Sequence, residues 1–298
     1  MADKVASVLA RLKNESKTKQ ISFQQILNLF CQEEFMRRIS NSSYKENLIL
    51  KGGYLLYSIS GFTTRPTIDA DYLLKNHSND FETIKIMIED IISQSSSYDF
   101  IEYSIRNLEA INETREYFGI RVNLIGNIGK TRTQFSVDFG VGDVIFPSFV
   151  EREITVILDD FEKPRIKTYS LESTIAEKLD AIIKLMEANS RMKDFYDIYY
   201  LAITFDFEGE QLQKAIFNTL TNRETKYESD SIKSIRRLSN NTLINQRWTN
   251  FCNKILNHNL DLSDVVEIII GLTSAPFQAM VEKDIFLKKW SHKDRKYL

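Results

Sequence analysis

The chain has 298 residues, 43% of them hydrophobic and 27% charged, so it is long enough for two domains with buried cores and is not expected to be disordered. The net charge of −2 excludes a uniformly basic nucleic-acid-binding protein, although a local basic surface is compatible with it. The chain has three histidines and two cysteines without the spacing of metal ligands, which argues against a zinc site and against Ser-His-Asp catalysis.

The beginning of the chain predicts helices around short strands. Apolar residues recur at helical spacing over 3–15, 22–40 and 80–94, and Ser22 is a suitable N-cap for the second helix. Between the second and third helices, NLILKGG predicts a strand that ends in two glycines, and YLLYSIS predicts a short helix. A further strand then carries the sequence TIDADYLL.

Strands dominate the next part of the chain. The segments DFIEYSIRNLEAI, EYFGIRVNLIG, RTQFSVDFGVG and EITVILD are rich in β-branched and aromatic residues. From residue 171 onward the periodicity is helical. We therefore predict an α+β fold with a mixed sheet and flanking helices in a domain over 1–165, followed by a helical domain over 166–298.

No segment predicts a membrane protein. The N-terminus lacks the apolar core of a secretory signal, and no stretch approaches the roughly 18 apolar residues that span a bilayer. We expect a cytoplasmic protein without membrane contact.

The two aspartates of TIDADYLL are the first candidate site. In an extended strand, residues two apart point to the same face, so Asp69 and Asp71 should project side by side while Ile68 and Tyr72 pack elsewhere. Two adjacent carboxylates repel each other unless a cation lies between them, and a divalent metal bound through oxygen is the usual one. By itself, the pair is more often a solvated strand face.

The glycine pair supplies a second candidate. Gly52 and Gly53 follow a predicted strand and precede a predicted helix, where unhindered backbone N–H groups can approach phosphate oxygens. The glycine pair and the aspartate pair, with Arg65 and Thr67 just before the aspartates, resemble a motif of the minimal nucleotidyltransferase superfamily. Within that superfamily, the resemblance is to the AbiEii toxins of bacterial abortive-infection toxin–antitoxin systems. There a GG or GS turn precedes a strand bearing R-x-T-x-D-x-D, which here reads RPTIDAD.

A third carboxylate is expected on a neighbouring strand. In QFSVDFGVGD one face is formed by Phe135, Val137, Phe139 and Val141, which leaves Ser136 and Asp138 on the other. Asp138 could complete a metal site with Asp69 and Asp71. Asp143 is the competing choice, although it reads more naturally as a turn residue.

The resemblance extends into the second half and covers roughly residues 50–200. SLESTIAEKLDAIIKL places Lys178 on an apolar helical stripe, where a lysine can also extend to water, and the family pattern has an E-K-L helix whose lysine enters the active site. RMKDFYD matches the R-x-K-D-x-Y-D segment of the family through Arg191, Lys193, Asp194, Tyr196 and Asp197. Asp194 is expected to be either the partner of Lys178 or a proton acceptor.

The resemblance implies a metal-dependent nucleotidyltransferase toxin. Asp69, Asp71, Lys178 and Asp194 would be catalytic, and magnesium would be held by Asp69, Asp71 and Asp138. The nucleoside triphosphate would be contacted by the following residues: Gly52, Gly53, Arg65, Thr67, Arg191 and Lys193. Some family members add nucleotides to the 3′ acceptor end of tRNA and so block translation, and a cognate antitoxin is encoded alongside. The resemblance thus implies a role in abortive infection, a form of phage defence.

The acceptor is not readable from these motifs. Two basic segments, Arg223–Arg237 and Lys283–Lys296, lie near Trp248 and Trp290 and could attract RNA, although charged helices usually face solvent and tryptophans usually pack. Transfer of AMP to a protein hydroxyl is one alternative function. A non-catalytic nucleotide-binding regulator is another.

Overall fold

The computed structural model describes residues 2–67, 69–95, 100–111, 119–256 and 258–298. These residues form two compact units. The first unit contains Met1–Gly142 and Val150–Thr168, and the second contains Asp143–Phe149 and Tyr169–Leu298. The segment Asp143–Phe149 thus belongs to the second unit, although it precedes Val150–Thr168 of the first.

The first unit is a mixed sheet with flanking helices. Its helices are α1 (Ala2–Thr18), α2 (Phe23–Asn41), α3 (Gly52–Ile59) and α4 (Phe81–Ser93), with a 3-10 turn over Ser43–Glu46. Its strands are β1 (Leu48–Lys51), β2 (Ala70–Leu74), β3 (Ile101–Ile111), β4 (Gly119–Ile128), β5 (Thr131–Gly140), β6 (Val150–Glu153) and β7 (Arg165–Thr168). The seven strands are ordered β3-β4-β5-β2-β1-β7-β6.

Strand pairing brings the predicted motifs to the middle of this sheet. β2 pairs antiparallel with β1 and parallel with β5, while β4 pairs antiparallel with β5. Phe135, Val137 and Phe139 are buried on one face of β5, as their alternation predicts. The opposite face of β5 carries Ser136 and Asp138, so this face of the sheet is polar.

Helix starts in the first unit follow the sequence signals. Ser22 caps α2 by accepting a hydrogen bond from the Gln25 backbone N–H, as predicted. Asp80 caps α4 in the same way through Thr83 N–H. The prediction of a strand over 153–159 is wrong. The chain pairs over Val150–Glu153 instead, and Ile154–Leu158 lies in an irregular segment whose apolar side chains are mostly buried without joining the ladder.

Parts of three predicted features lie outside the described residues. Ile68, expected to pack away from the aspartates, is one of them. Residue 99 and residues 116–118, at the starts of two predicted strands, are the others.

The second unit is largely helical, as predicted. Its helices are α5 (Leu171–Leu185), α6 (Met192–Thr204), α7 (Gly209–Asn222), α8 (Ser231–Ser234), α9 (Thr242–Phe251) and α10 (Leu262–Glu282). Short 3-10 turns cover Met186–Ala188 and Ile235–Asn240, and a π-helical turn covers Cys252–Leu256. A small sheet of β8 (Phe207–Glu208), β9 (Lys289–Ser291) and β10 (Lys296–Tyr297) was not predicted, because strands this short carry no periodicity.

Helix α10 corrects one expectation from the sequence. Among the described residues it is long and apolar enough to cross a membrane, although more than half of its apolar stretch is buried within the protein. Val265, Val266 and Ile269 are fully buried, and α10 packs against α6 and α7. A core helix needs the same composition as a membrane span, so the composition alone does not distinguish them.

Candidate active site

Asp71 lies at the centre of the polar face of the sheet. In β2 it is directly opposite Lys51 of β1 and directly opposite Asp138 of β5. Residues opposite each other in neighbouring strands share a face, so these three side chains line up across three strands. Asp71 is half-buried.

Gly52, the first residue of the glycine pair, lies directly against this carboxylate. Helix α3 begins at Gly52, whose φ of +71° is left-handed, and a Cβ at this position would collide with Asp71 Oδ2. A Cβ at Gly53 would lie 2.9 Å from Thr67 Oγ1 and 3.1 Å from Arg65 Nη2. The first turn of α3 therefore meets a carboxylate, a hydroxyl and a guanidinium that the sequence predicted to belong together.

Asp69 stands just before β2 begins and is exposed. It borders a small cavity of about 120 Å³, whose lining also contains Arg106, Asn123 and Ser136. This placement continues the parallel register of β2 and β5 by one more step, since Asp71 lies opposite Asp138 and Ala70 opposite Val137. Asp69 and Asp71 are thus both on the side of the sheet that β5 lines with Ser136 and Asp138.

Asp138 is engaged by an arginine. Arg121 of β4 lies directly opposite Asp138, and its Nε and Nη2 each donate a hydrogen bond of 2.7 Å to one carboxylate oxygen. Asp138, with some help from Asp69 and Glu109, raises the pKa of Arg121 above its usual value, against the desolvation that lowers it. The third-ligand role of Asp138 stays a prediction.

The two remaining aspartates suit a divalent cation. Among the residues that the structure describes, no group of three or more histidine, cysteine, aspartate or glutamate side chains is arranged to hold a metal. Magnesium in nucleotide sites commonly takes one or two carboxylates and completes its shell with water and phosphate oxygens. Asp69 and Asp71 are hard oxygen donors at one open strand end, so they fit such a cation together with a nucleotide.

A second polar group is buried in the helical unit. Lys178 Nζ of α5 lies 3.0 Å from Asp194 Oδ1 and 2.6 Å from Asp197 Oδ2, both of α6. The lysine side chain is only 10% exposed and the two carboxylates are almost wholly buried. Lys178 therefore does not extend to water, and its pairing with Asp194, one of two expected alternatives, is observed. Asp197 was not predicted as a partner, although it stands in the quoted motif.

The two basic residues of the same motif reach solvent. Arg191 Nε lies 2.8 Å from Asp194 Oδ2, while its side chain is 52% exposed. Lys193 is exposed on the first turn of α6. Arg191 thus forms the i,i+3 ion pair that the spacing allows, and both residues keep a position from which they can contact an anion.

Asp143, the competing third carboxylate, belongs to another cluster. Its Oδ1 accepts a hydrogen bond of 2.8 Å from Arg223 Nη2, and Arg223 also pairs with Glu177 and Asp180. These carboxylates raise the pKa of Arg223 despite its burial. Arg223 is therefore a structural residue of the helical unit, and the expectation that it belongs to an RNA-attracting surface is wrong.

Other residues of the expected RNA surface are also paired with carboxylates or buried. Arg236 pairs with Glu267 and Arg237 pairs with Glu187. Trp248 and Trp290 are 3% and 1% exposed, and each donates its indole N–H to a backbone carbonyl. The tryptophans pack in the core instead of offering a stacking surface. The lysines at 283, 288, 293 and 296 are exposed.

Sequence reasoning missed Lys51 and Arg121 in the first unit. Lys51 precedes the glycine pair directly, and its charge next to two glycines is a usable signal. Arg121 could be found only from the register of the β4–β5 pair, because nothing in the segment GIRVNLIG distinguishes it from an ordinary exposed strand residue.

Comparison with known proteins gives one family. The sequence matches the family described as the nucleotidyl transferase AbiEii toxin of the type IV TA system over residues 34–283, which is most of the chain. No curated protein matches the sequence.

Two solved structures match the chain with TM-scores just under 0.5. One is JHP933 from Helicobacter pylori, with a TM-score of 0.49 and 13% sequence identity over 88% of this chain and 95% of that chain. The other is a candidate nucleotidyltransferase from H. pylori, with a TM-score of 0.48 and 13% identity over 88% of this chain and 98% of that chain.

Proposed function

Because the chain belongs to the AbiEii family of nucleotidyltransferase toxins from type IV toxin–antitoxin systems, we propose that it adds nucleotides to the 3′ acceptor end of tRNA and so blocks translation. Membership of the family implies a nucleoside triphosphate as substrate and an antitoxin as partner. We further propose that the protein acts in the cytoplasm as part of an abortive-infection defence against phage.

The contact between Gly52 and Asp71 carries this proposal. The N-terminus of α3 offers backbone N–H groups at the positive end of a helix, and Asp71 Oδ2 lies where the Cβ of any other residue at position 52 would stand. A phosphate group and the cation that accompanies it can therefore be held within one small region. In an ordinary turn, no carboxylate occupies the space of the Cβ in this way.

The reaction joins the α-phosphorus of the triphosphate to a hydroxyl oxygen. The 3′ hydroxyl loses its proton to water as the new P–O bond forms, and the bond from the α-phosphorus to the β-phosphate bridging oxygen breaks, which releases pyrophosphate. We propose that Asp69 and Asp71 hold a magnesium ion; when bound, this ion would neutralise phosphate charge and polarise the reacting oxygens. Gly52 and Gly53 would bind phosphate oxygens through N–H groups, and Arg65 and Thr67 would orient the triphosphate.

The buried group of the helical unit is proposed to serve the same reaction. A lysine held by two carboxylates has a fixed position and a charge that burial keeps from being screened by solvent. By resemblance to the family, we propose that Lys178 offsets negative charge on the substrate, that Asp194 orients it, and that Arg191 and Lys193 assist in binding the nucleotide. Both carboxylates contact the lysine ammonium, which supports orientation as the role of Asp194.

Expression of the toxin in cells tests the proposal. Wild-type protein should arrest growth, and sequencing of tRNA 3′ ends from those cells should reveal added nucleotides. Asp69→Asn and Asp71→Asn, expressed to the same soluble level, should abolish both effects. Asp159→Asn changes an exposed aspartate of the same unit and should remain fully toxic.

Two results would contradict the proposal. Toxicity with unmodified tRNA and a mass increase on protein would favour AMP transfer to a protein hydroxyl. Toxicity that survives in both soluble, folded aspartate variants would exclude catalysis by this site and favour a nucleotide-binding regulator.

A further inference from the structure

Arg121 places a fixed positive charge on the face of the sheet that carries Asp71. The residue pairs run continuously across three strands, with Asp71 of β2 opposite Asp138 of β5 and Asp138 opposite Arg121 of β4. The guanidinium is therefore two strands away from Asp71 on the same polar face. Asp69, at the end of the same face, also acts electrostatically on Arg121.

In the Arg121–Asp138 pair, the arginine is the more exposed residue and has N–H groups that the pair does not use. Two N–H groups of one edge are used, Nε on Oδ1 and Nη2 on Oδ2, each at 2.7 Å. The remaining N–H donors of the planar guanidinium do not take part in this pair. Asp138 is 14% exposed and Arg121 is 37% exposed, so the carboxylate is the more buried member of the pair and solvent reaches the cation.

This arrangement matches what phosphate recognition requires. Arginine binds phosphoryl oxygens with charge-assisted hydrogen bonds, and a guanidinium already fixed by a carboxylate loses less entropy when it binds. A metal ligand needs the opposite arrangement, with a carboxylate exposed and its oxygens directed at the cation. Both oxygens of Asp138 instead accept hydrogen bonds from Arg121.

We infer that Arg121 binds phosphoryl oxygens of the nucleoside triphosphate and that Asp138 is a positioning residue for Arg121, not a third metal ligand. This inference rests on the proposed function, because it names a further substrate contact of the same site. Phosphates of the acceptor RNA have the same chemistry, and the experiment separates the two sources.

The test is equilibrium binding of a non-hydrolysable nucleoside triphosphate analogue with magnesium, measured by titration calorimetry. Arg121→Ala should weaken binding about tenfold to a hundredfold, the cost of charge-assisted hydrogen bonds. Arg121→Lys should fall between wild type and Arg121→Ala, because it keeps the charge but not the planar edge. Arg132→Ala removes an exposed arginine from the same face of β5 and should bind as wild type.

A double-mutant cycle separates positioning from metal ligation. Asp138→Asn alone should weaken binding of the analogue, but by less than Arg121→Ala. In the Arg121→Ala background, Asp138→Asn should cause little further loss, because its effect operates through the arginine. A full additional loss in the double variant would show that Asp138 acts independently and would overturn the positioning role.

The remaining outcomes also decide the question. If wild-type protein fails to bind the analogue with magnesium, the proposed function itself is wrong. If wild type binds and Arg121→Ala binds equally well, only the inference fails. Unchanged nucleotide binding with weaker binding of tRNA would assign Arg121 to the acceptor. If circular dichroism shows that Arg121→Ala does not fold, the binding of Arg121→Lys and Arg121→Gln is compared with that of wild type instead.

Discussion

Gly52 shows how one residue shapes the proposed site. Its φ of +71° lies in the left-handed region, and the space where a Cβ would stand is taken by the carboxylate of Asp71. Glycine adopts this φ at low cost, and no residue with a Cβ would fit beside the carboxylate. Backbone N–H groups that can donate to a phosphate therefore lie close to the carboxylate of Asp71.

Gly52→Ala should separate these two effects when compared with Gly61→Ala. Gly61 has a φ of +64° with nothing within 4 Å of its Cβ position, so its substitution adds only a backbone cost of about 1–2 kcal/mol. Gly52→Ala should add displacement of Asp71 and reduce nucleotidyl transfer about a hundredfold more than Gly61→Ala does. Thermal unfolding and transfer rates measure the two effects. Equal rates for the two variants would mean that the Asp71 contact is irrelevant to catalysis.

At the scale of helices, Lys178 links α5 to α6 through Asp194 and Asp197. Lys178→Met leaves two buried carboxylates without this cation and should lower the free energy of unfolding by about 3–5 kcal/mol. Lys184→Met, on the same helix but with a side chain 37% exposed and 3.6 Å from Asp180, should cost about 1 kcal/mol or less. Denaturant unfolding measures both.

Partial rescue would support the electrostatic cause. Adding Asp197→Asn to Lys178→Met removes one of the stranded charges and should recover part of the lost stability. If the double variant is less stable than Lys178→Met, the loss comes from packing instead.

Helix α2 contains a buried acid that should make stability depend on pH. Glu33 is fully buried and accepts a hydrogen bond of 2.8 Å from Ile157 N–H. Burial raises the pKa of Glu33 from 4.5 to about 8, while Arg37 acts in the opposite direction. The protonated form is thus favoured in the folded state. The resulting stabilisation is complete below about pH 4.5 and is lost as the pH rises through 8.

Glu33→Gln should remove this dependence. Relative to the variant, wild type should lose on the order of a few kcal/mol of stability between pH 5 and pH 8. Glu82→Gln, which changes an exposed glutamate on α4, should follow the wild-type profile. Unfolding curves at several pH values provide the comparison, and parallel profiles for wild type and Glu33→Gln would show that Glu33 is ionised throughout.

Local patterns predicted some elements well and others not at all. The alternation in β5 correctly placed Phe135 and Val137 inside and Asp138 outside, because strand periodicity is a local property. The Arg121–Asp138 pair depends on the β4–β5 register, which hairpin geometry sets and single strands do not reveal. The error over 153–159 arose because a buried apolar segment has the same composition as a strand.

Over the whole molecule, positive and negative charges nearly balance, but the cations differ in whether a carboxylate pairs with them. The net charge is −2, and many arginines of the helical unit are held by carboxylates, as Arg223, Arg236 and Arg237 show. Composition could not predict this, because it counts cations without their partners. The exposed lysines near the C-terminal end are better candidates for contact with RNA phosphates than the arginines that the sequence suggested.

Lys283→Glu combined with Lys288→Glu should therefore weaken tRNA binding. We expect the KM for tRNA to rise about tenfold at low salt and the difference to shrink as salt increases, with the KM for the triphosphate unchanged. Lys130→Glu is the control, since this exposed residue follows β4 at the opposite end from Arg121. An unchanged salt dependence of tRNA binding would exclude these lysines from the interface.

The most direct test of the central claim is label transfer by purified protein. Each α-labelled nucleoside triphosphate is incubated in turn with magnesium, total tRNA and the protein, and a denaturing gel separates labelled RNA from labelled protein. We predict label on tRNA with wild type and Asp159→Asn and none with Asp71→Asn. Label on protein alone, or equal labelling of tRNA by Asp71→Asn, would contradict the assignment of this site as a tRNA nucleotidyltransferase.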